Sequence, residues 1–155
     1  RGPFSVQTEY GMVNISRKNN QSNQTAFQNL MFNGYYLQTS YFLTGESRNY
    51  YPRFAAFWRV TPKQDFSLSN GTWGAWEIGL RYSFLDLDDG ASNLSGGGVR
   101  GGVANNYTLG LNWYLNPFVR AQINYVYADA ENLTDAGLPE GDIVHILGTR
   151  LQIEW

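Results

Sequence analysis

The chain has 155 residues, no cysteine and a formal net charge of −2, which allows one domain and excludes a disulfide scaffold and thiol chemistry. Its few lysines and arginines are dispersed, so nucleic acid is not an expected partner. No apolar run approaches the roughly 18 residues of a transmembrane helix. The first residues also lack the basic start and apolar centre of a signal peptide.

Alternation of apolar and polar residues predicts a strand at residues 3–13 and a second at residues 35–44. Between them, residues 17–28 are rich in amide side chains, which predicts a solvated loop.

A long connection at residues 45–74 follows, and it is the one locally basic part of the chain. It contains four basic residues and two acidic ones: Arg48, Arg53, Arg59, Lys63, Glu46 and Asp65. Long connections often carry function. Three structures are open for it: a constriction folded into a lumen, a solvated plug, or a pair of short extra strands.

Four further strands are predicted at residues 75–84, 106–115, 119–127 and 143–155. The tight link Leu115-Asn116-Pro117-Phe118 predicts an antiparallel hairpin between the fourth and fifth strands. The last strand is long enough to cross a hydrocarbon layer of about 30 Å.

The links between these strands differ in length. The two at residues 85–102 and 128–142 are long and glycine-rich or acidic, whereas outer-membrane barrels have short periplasmic turns and longer extracellular loops. With Trp155 at the periplasmic edge, these two links and residues 17–28 face outside, and the connection 45–74 lies on the periplasmic side.

Aromatic residues lie near both ends of the apolar stretches, as two membrane interfaces favour. The predicted interface residues are Trp76, Tyr82, Tyr107, Trp113 and Trp155. A soluble antiparallel sandwich would more often place tryptophan in the middle of its strands. The pattern therefore predicts an all-β, transmembrane, antiparallel β-barrel.

Six strands cannot close such a barrel, because single-chain examples begin at eight. Either the chain is the carboxy-terminal portion of a longer barrel or several copies pool their strands. The missing initiator methionine and signal peptide favour the first alternative.

Several runs resemble the carboxy-terminal part of the phosphate-selective porins O and P. They are GPFSVQTEY, YYLQTSYFLTGE, RVTPKQDFSL, GAWEIGLRYSFLDLDDG and TLGLNWYLNPFVRAQINYVYAD, followed by the terminal strand. The resemblance covers nearly the whole chain, residues 1–155, in the same order. It implies that the chain forms the last six strands of a sixteen-stranded, trimeric outer-membrane porin that passes anions through a lumen lined with basic residues.

The predicted channel-lining residues lie on the polar strand faces and in the connection: Arg81, Arg120, Arg150, Glu77, Glu9, Arg48, Arg53, Arg59 and Lys63. The polar strand faces carry three acids and three bases when Glu154 is included, so their summed field is near zero. Arg81, Arg120 and Arg150 either form a cationic strip or pair with the three glutamates. Sequence does not decide between them, because the outcome depends on strand register.

Nothing in the chain indicates an enzyme, a cofactor or a metal site. His145 is the only histidine, and we predict that it is an interfacial ring. The run DLDDG at Asp86 to Gly90 resembles half of a calcium loop, but the remaining ligands are missing. It is predicted to be the acidic start of a loop.

Two functions follow from these observations. The first is an outer-membrane porin, a passive diffusion channel for small hydrophilic solutes with a preference for anions such as phosphate. The second is a structural barrel that anchors the cell envelope or a surface layer. The expected partners are membrane lipid, lipopolysaccharide, the transported anions and two further copies in a homotrimer.

Overall fold

The computed structural model describes residues 2–17, 29–90, 97–131 and 141–155. The predicted loop residues 18–28, and residues 91–96 and 132–140 of the two later links, lie outside the described residues. The strands are β1 Phe4–Ile15, β2 Leu30–Phe42, β3 Tyr50–Tyr51, β4 Ala56–Phe57, β5 Ala75–Asp89, β6 Val99–Tyr114, β7 Val119–Glu131 and β8 Gly141–Ile153, with a 3₁₀ turn at Pro52–Phe54. Within the described ranges, no helix is long and apolar enough to cross a bilayer.

Within those ranges, the six long strands form one antiparallel sheet in the order β1-β2-β5-β6-β7-β8. The predicted all-β, antiparallel fold is confirmed. As far as the described residues extend, the sheet is open, with β1 and β8 at its edges.

β5 and β6 extend beyond the predicted ends, whereas β2 ends at Phe42 and β8 at Ile153, two residues before the predictions. β5 continues to Asp89 and β6 begins at Val99, although both positions fall in the predicted loop 85–102. Asp86 pairs with Val103 and, after a bulge, Asp88 pairs with Arg100. Pairing with a neighbouring strand satisfies the backbone N–H and C=O groups whatever the local side-chain pattern. Prediction from alternation alone therefore made both strands too short.

The register aligns the predominantly apolar face of each strand with that of its neighbours. Leu80 lies opposite Leu109, which in turn lies opposite Tyr125. Polar residues share the other face, where Arg81 lies between Gln38 and Thr108. A shift of one residue would move every side chain to the wrong face, so the register has to be this specific.

The connection 45–74 packs on the polar face, at the sheet end that carries the β6–β7 turn. Val60 of the connection is buried with three residues from that face, Phe42, Ala75 and Tyr114. The connection meets β5 at Gly74, whose φ is +68° and where a Cβ atom would lie 2.2 Å from the Tyr114 carbonyl oxygen. Only glycine fits so close a backbone approach, and this approach seats the connection against β6.

Candidate solute site on the polar face

Glu77 is a fully buried carboxylate on the polar face of β5. Arg48 of the connection donates two hydrogen bonds to it, of 2.8 and 3.0 Å. Asn112 Nδ2 and the Tyr114 hydroxyl donate two more, of 2.9 and 2.8 Å. A buried charge is tolerated only with such partners. Burial lowers the pKa of Arg48, but its bond to Glu77 outweighs this effect and holds that pKa above the ordinary value.

The hydrogen-bond network continues along β7 and β8. Arg120 donates to the Tyr114 hydroxyl at 3.3 Å and to Gln152 Oε1 at 2.7 Å. Gln152 donates to Glu154 at 2.6 Å, and Arg59 of the connection pairs with the same carboxylate at 3.3 Å. One chain of contacts therefore runs across four strands, with an arginine of the connection at each end.

This network changes the charge on the polar face. Glu77 and Glu154 are paired with arginines of the connection. Arg81, Arg120 and Arg150 form no ion pair with a described carboxylate. Glu77 and Glu154 are thus neutralised from the connection, whereas Arg81, Arg120 and Arg150 have no acidic partner among the described residues.

Three of the arginines surround one cavity of about 470 Å³ on the polar face, which we call the strand cavity. Its lining residues are Gln38, Arg48, Gly79, Leu80, Arg81, Thr108, Gly110, Asn112, Arg120, Gln122, Asn124 and Val126. Arg81 is exposed and lies 4.0 Å from the centroid of the Tyr36 ring. Guanidinium groups with free N–H donors bind anions well, so this cavity is the candidate solute site.

The register separates the strand arginines along the wall. Arg81 lies opposite Thr108, whereas Arg120 lies opposite Tyr114, six residues further along β6. This separation is roughly 20 Å along the strand. Arg150 lies opposite Gln122, between these two levels. The arginines therefore follow the length of the strands and do not form a single ring.

The other predicted channel-lining residues lie apart from the strand cavity. Lys63 is exposed and its ammonium group donates to the Thr44 carbonyl at 2.9 Å. Arg53 is exposed, 5.9 Å from the Phe54 ring centroid. Glu9 is exposed at the far edge of the sheet, on β1. Of the predicted residues, Arg48, Arg81 and Arg120 line the strand cavity at different levels, and Glu77 is bound to Arg48. The residues that do not line it are Lys63, Arg53, Glu9, Arg59 and Arg150.

The full chain, residues 1–155, matches the sequence profile of the family "Phosphate-selective porin O and P". The chain belongs to this family. It is 35% identical to Porin O of Pseudomonas aeruginosa over 144 residues, which is 91% of the chain and 30% of that protein. It is 31% identical over 125 residues to an uncharacterized protein of Caulobacter vibrioides, covering 80% of the chain and 23% of that relative. The chain spans less than a third of either relative's length.

The apolar face of this porin chain carries two groups of aromatic rings. At the turn end, Trp76 and Trp113 stack with centroids 5.2 Å apart, and Phe66 of the connection meets Trp113 edge-on. At the other end, Tyr82 and Tyr107 lie 5.0 Å apart. Leucine and isoleucine side chains separate the two groups by roughly 20 Å along the strands. Aromatic rings in two such rows suit the two edges of a hydrocarbon layer. The fifth predicted interface residue, Trp155, lies beyond the end of β8 and is fully exposed.

His145 belongs to the second group of rings. Its Nδ1 atom lies 2.7 Å from the Tyr125 hydroxyl, and its ring meets Tyr127 edge-on at 5.5 Å. The aspartates of DLDDG bind backbone amides: Asp88 accepts from Gly102 at 2.7 Å and Asp89 accepts from Met31 at 2.6 Å. These two hydrogen bonds join the end of β5 to β6 and β2. In the described part of the chain, no three acidic, histidine or cysteine side chains are arranged to hold a metal ion.

Alternation did not single out the uncharged members of the network, Tyr114, Asn112, Gln122 and Gln152. Gln122 donates to Asn112 at 2.7 Å and so supports the group that binds Glu77. A usable signal was present, because amide side chains and a tyrosine share the polar face of adjacent predicted strands with a glutamate. Such groups are the usual partners of a charge removed from water.

Proposed function

We propose that this chain forms part of the wall of a passive diffusion channel in the bacterial outer membrane, through which small anions such as phosphate pass more readily than cations. Membership of the phosphate-selective porin O and P family supports a channel that performs no chemical step. The six-stranded sheet has one wide apolar face and one polar face, which suits a channel wall with lipid on one side and water on the other.

The observation that carries the anion preference is the absence of described carboxylate partners for Arg81, Arg120 and Arg150. A charged lumen concentrates solutes of the opposite sign when basic groups outnumber acidic ones where the solute passes. Two of the acids that would cancel the field, Glu77 and Glu154, are paired with Arg48 and Arg59, and Glu9 lies on β1, away from the strand cavity. This leaves a net positive wall around the strand cavity.

In this proposal the connection 45–74 narrows the lumen from the periplasmic side. Its packing on the polar face supports the idea, because Val60 is buried there and Arg48 lines the strand cavity. The short pair β3 and β4 stiffens the same segment. The connection would thus act both as a constriction and as the source of the arginines that neutralise the wall.

We propose further that the strands complete a larger barrel, of sixteen strands, with the remainder of a protein as long as the relatives. Unpaired backbone groups at β1 and β8 would cost several kcal/mol each in lipid, so both edges need neighbours. Three such barrels would form the trimer, with lipid against the apolar face and lipopolysaccharide against the outer links.

The reversal potential of the full-length porin in a planar bilayer under a potassium chloride gradient tests the channel. We expect a reversal potential whose sign corresponds to anion selectivity. A reversal potential near zero would contradict the anion preference, and no conductance at all would favour the envelope anchor.

Arg81→Gln sharpens this test. Removal of one unit charge about 8 Å from the ion path raises the energy of a passing anion, and lowers that of a passing cation, by about 0.5 kcal/mol each in unscreened water. Salt at about 0.1 M roughly halves both changes, so the anion-to-cation permeability ratio should fall about twofold. Arg17→Gln is the matched control, because Arg17 follows β1 at the opposite end of the sheet, and it should change the ratio less. Equal changes in both variants would contradict a role for the strand cavity.

A further inference from the structure

A second cavity, of about 370 Å³, lies between the connection and the β6–β7 turn, and we call it the turn cavity. Its lining residues are Arg48, Phe57, Trp58, Arg59, Val60, Tyr114, Asn116, Pro117, Phe118, Val119, Arg120, Gln152 and Glu154. Its volume falls within the roughly 300–1,000 Å³ of small-molecule sites. We propose that it binds an aromatic monocarboxylate, of the size of benzoate, at a site that adjoins the strand cavity and shares Arg48 and Arg120 with it.

Guanidinium groups and aromatic rings are paired throughout this lining. Arg59 lies 4.6 Å from the centroid of Phe118, at the turn. Arg120 lies 5.4 Å from the Tyr114 ring and Arg48 lies 5.8 Å from the Phe57 ring. Each pair offers a cation beside a flat apolar surface, which is the combination that an aryl ring carrying an anionic group requires.

Two of the rings are exposed on the polar side of the sheet. Trp58 is 61% exposed and Phe118 is 49% exposed. Aromatic surface left in water on an otherwise polar wall is a common mark of a binding site. An aromatic ligand would cover this surface, whereas phosphate or acetate would leave it hydrated.

The local charge selects a monoanion. Arg48 and Arg59 are each paired with a carboxylate, whereas the hydrogen-bond partners of Arg120 among the described residues are Tyr114 and Gln152, both uncharged. These two bonds use two of the five N–H donors of its guanidinium group. The net charge around the cavity is therefore close to one positive unit. A carboxylate can accept two parallel N–H bonds from a guanidinium fork.

Calorimetric titration of the full-length porin in detergent, with benzoate and with acetate, tests the proposal. Both ligands carry one carboxylate, so a difference in affinity reports the aromatic ring. We expect benzoate to bind about five- to tenfold more tightly, the effect of an aromatic contact. Equal affinities, or no measurable binding of benzoate, would overturn the proposal.

Two variants of Phe118 locate the site. Phe118→Leu should reduce the benzoate preference to within about twofold of acetate, because it removes the ring beside Arg59. Phe118→Tyr keeps the ring and should keep the preference, which distinguishes a lost contact from a damaged turn. An unchanged preference in Phe118→Leu, or its loss in Phe118→Tyr, would contradict the assignment.

Arg81→Gln separates this proposal from the proposed function, because Arg81 lines the strand cavity but not the turn cavity. Benzoate affinity should stay within about twofold of the wild type in this variant. A larger loss would place the benzoate site in the strand cavity and overturn the proposal. Benzoate binding in a porin without anion selectivity would contradict the proposed function alone.

Discussion

The two faces of the sheet are held by different kinds of interaction. On the apolar face, side chains from neighbouring strands pack directly in rows, such as Trp76 against Trp113. On the polar face, Glu77 and Glu154 depend on Arg48 and Arg59, which come from outside the sheet. The rows of the apolar face follow from strand pairing, to which the connection adds Phe66 against Trp113 at the turn end. On the polar face, Glu77 and Glu154 find their ionic partners only when the connection packs against the sheet.

The largest expected effect is a charge placed on the apolar face. Ile123→Arg, midway between the two groups of rings, should destabilise the porin by about 2–4 kcal/mol in lipid vesicles, because a cation cannot be hydrated near the bilayer midplane. Asn124→Arg is the matched control on the polar face, opposite Gly110 and Gly148, and should change stability by about 0.5 kcal/mol or less. Urea unfolding in vesicles measures both, and equal losses would contradict the assignment of the faces.

A smaller loss is expected when the polar face loses its central acid. Glu77→Ala leaves Arg48, whose side chain is 20% exposed, without a carboxylate, and should cost about 2–3 kcal/mol, below the range for a fully buried pair. Glu9→Ala removes an exposed carboxylate and should cost about 0.5 kcal/mol or less. Unfolding midpoints of the two variants test the difference, and a Glu77→Ala loss as small as that of Glu9→Ala would show that the network does not hold the connection.

The smallest expected effect concerns the stacked tryptophans. A double-mutant cycle with Trp76→Ala and Trp113→Ala should give a coupling free energy of about 0.5–1.5 kcal/mol, as for other aromatic pairs. The neighbouring aliphatic pair Ile78 and Leu111 should give less than the tryptophan pair. Additive losses at the tryptophans would mean that each ring interacts with lipid and not with its partner.

Much of the fold was predictable from alternation, because the side-chain direction of a strand reverses at every residue. The faces of Leu80, Arg81 and Glu77 were assigned correctly on this basis. The ends of β5 and β6 were not, since pairing beyond Asp86 depends on the partner strand. The role of Glu77 was not predictable either. Alternation presents it as one of several acids on the polar face, whereas the structure shows it buried and bound to an arginine 29 residues away.

The sequence by itself determined strands with one apolar and one polar face, because a period of two is a local property, and the tight link at residues 115–118 determined that two of them are antiparallel. The tertiary structure alone decided which charges cancel. Arg48 and Arg59 reach Glu77 and Glu154 across 29 and 95 residues. Such pairing depends on strand register and on how the connection folds back, and both are set by hydrogen bonds and packing between distant segments.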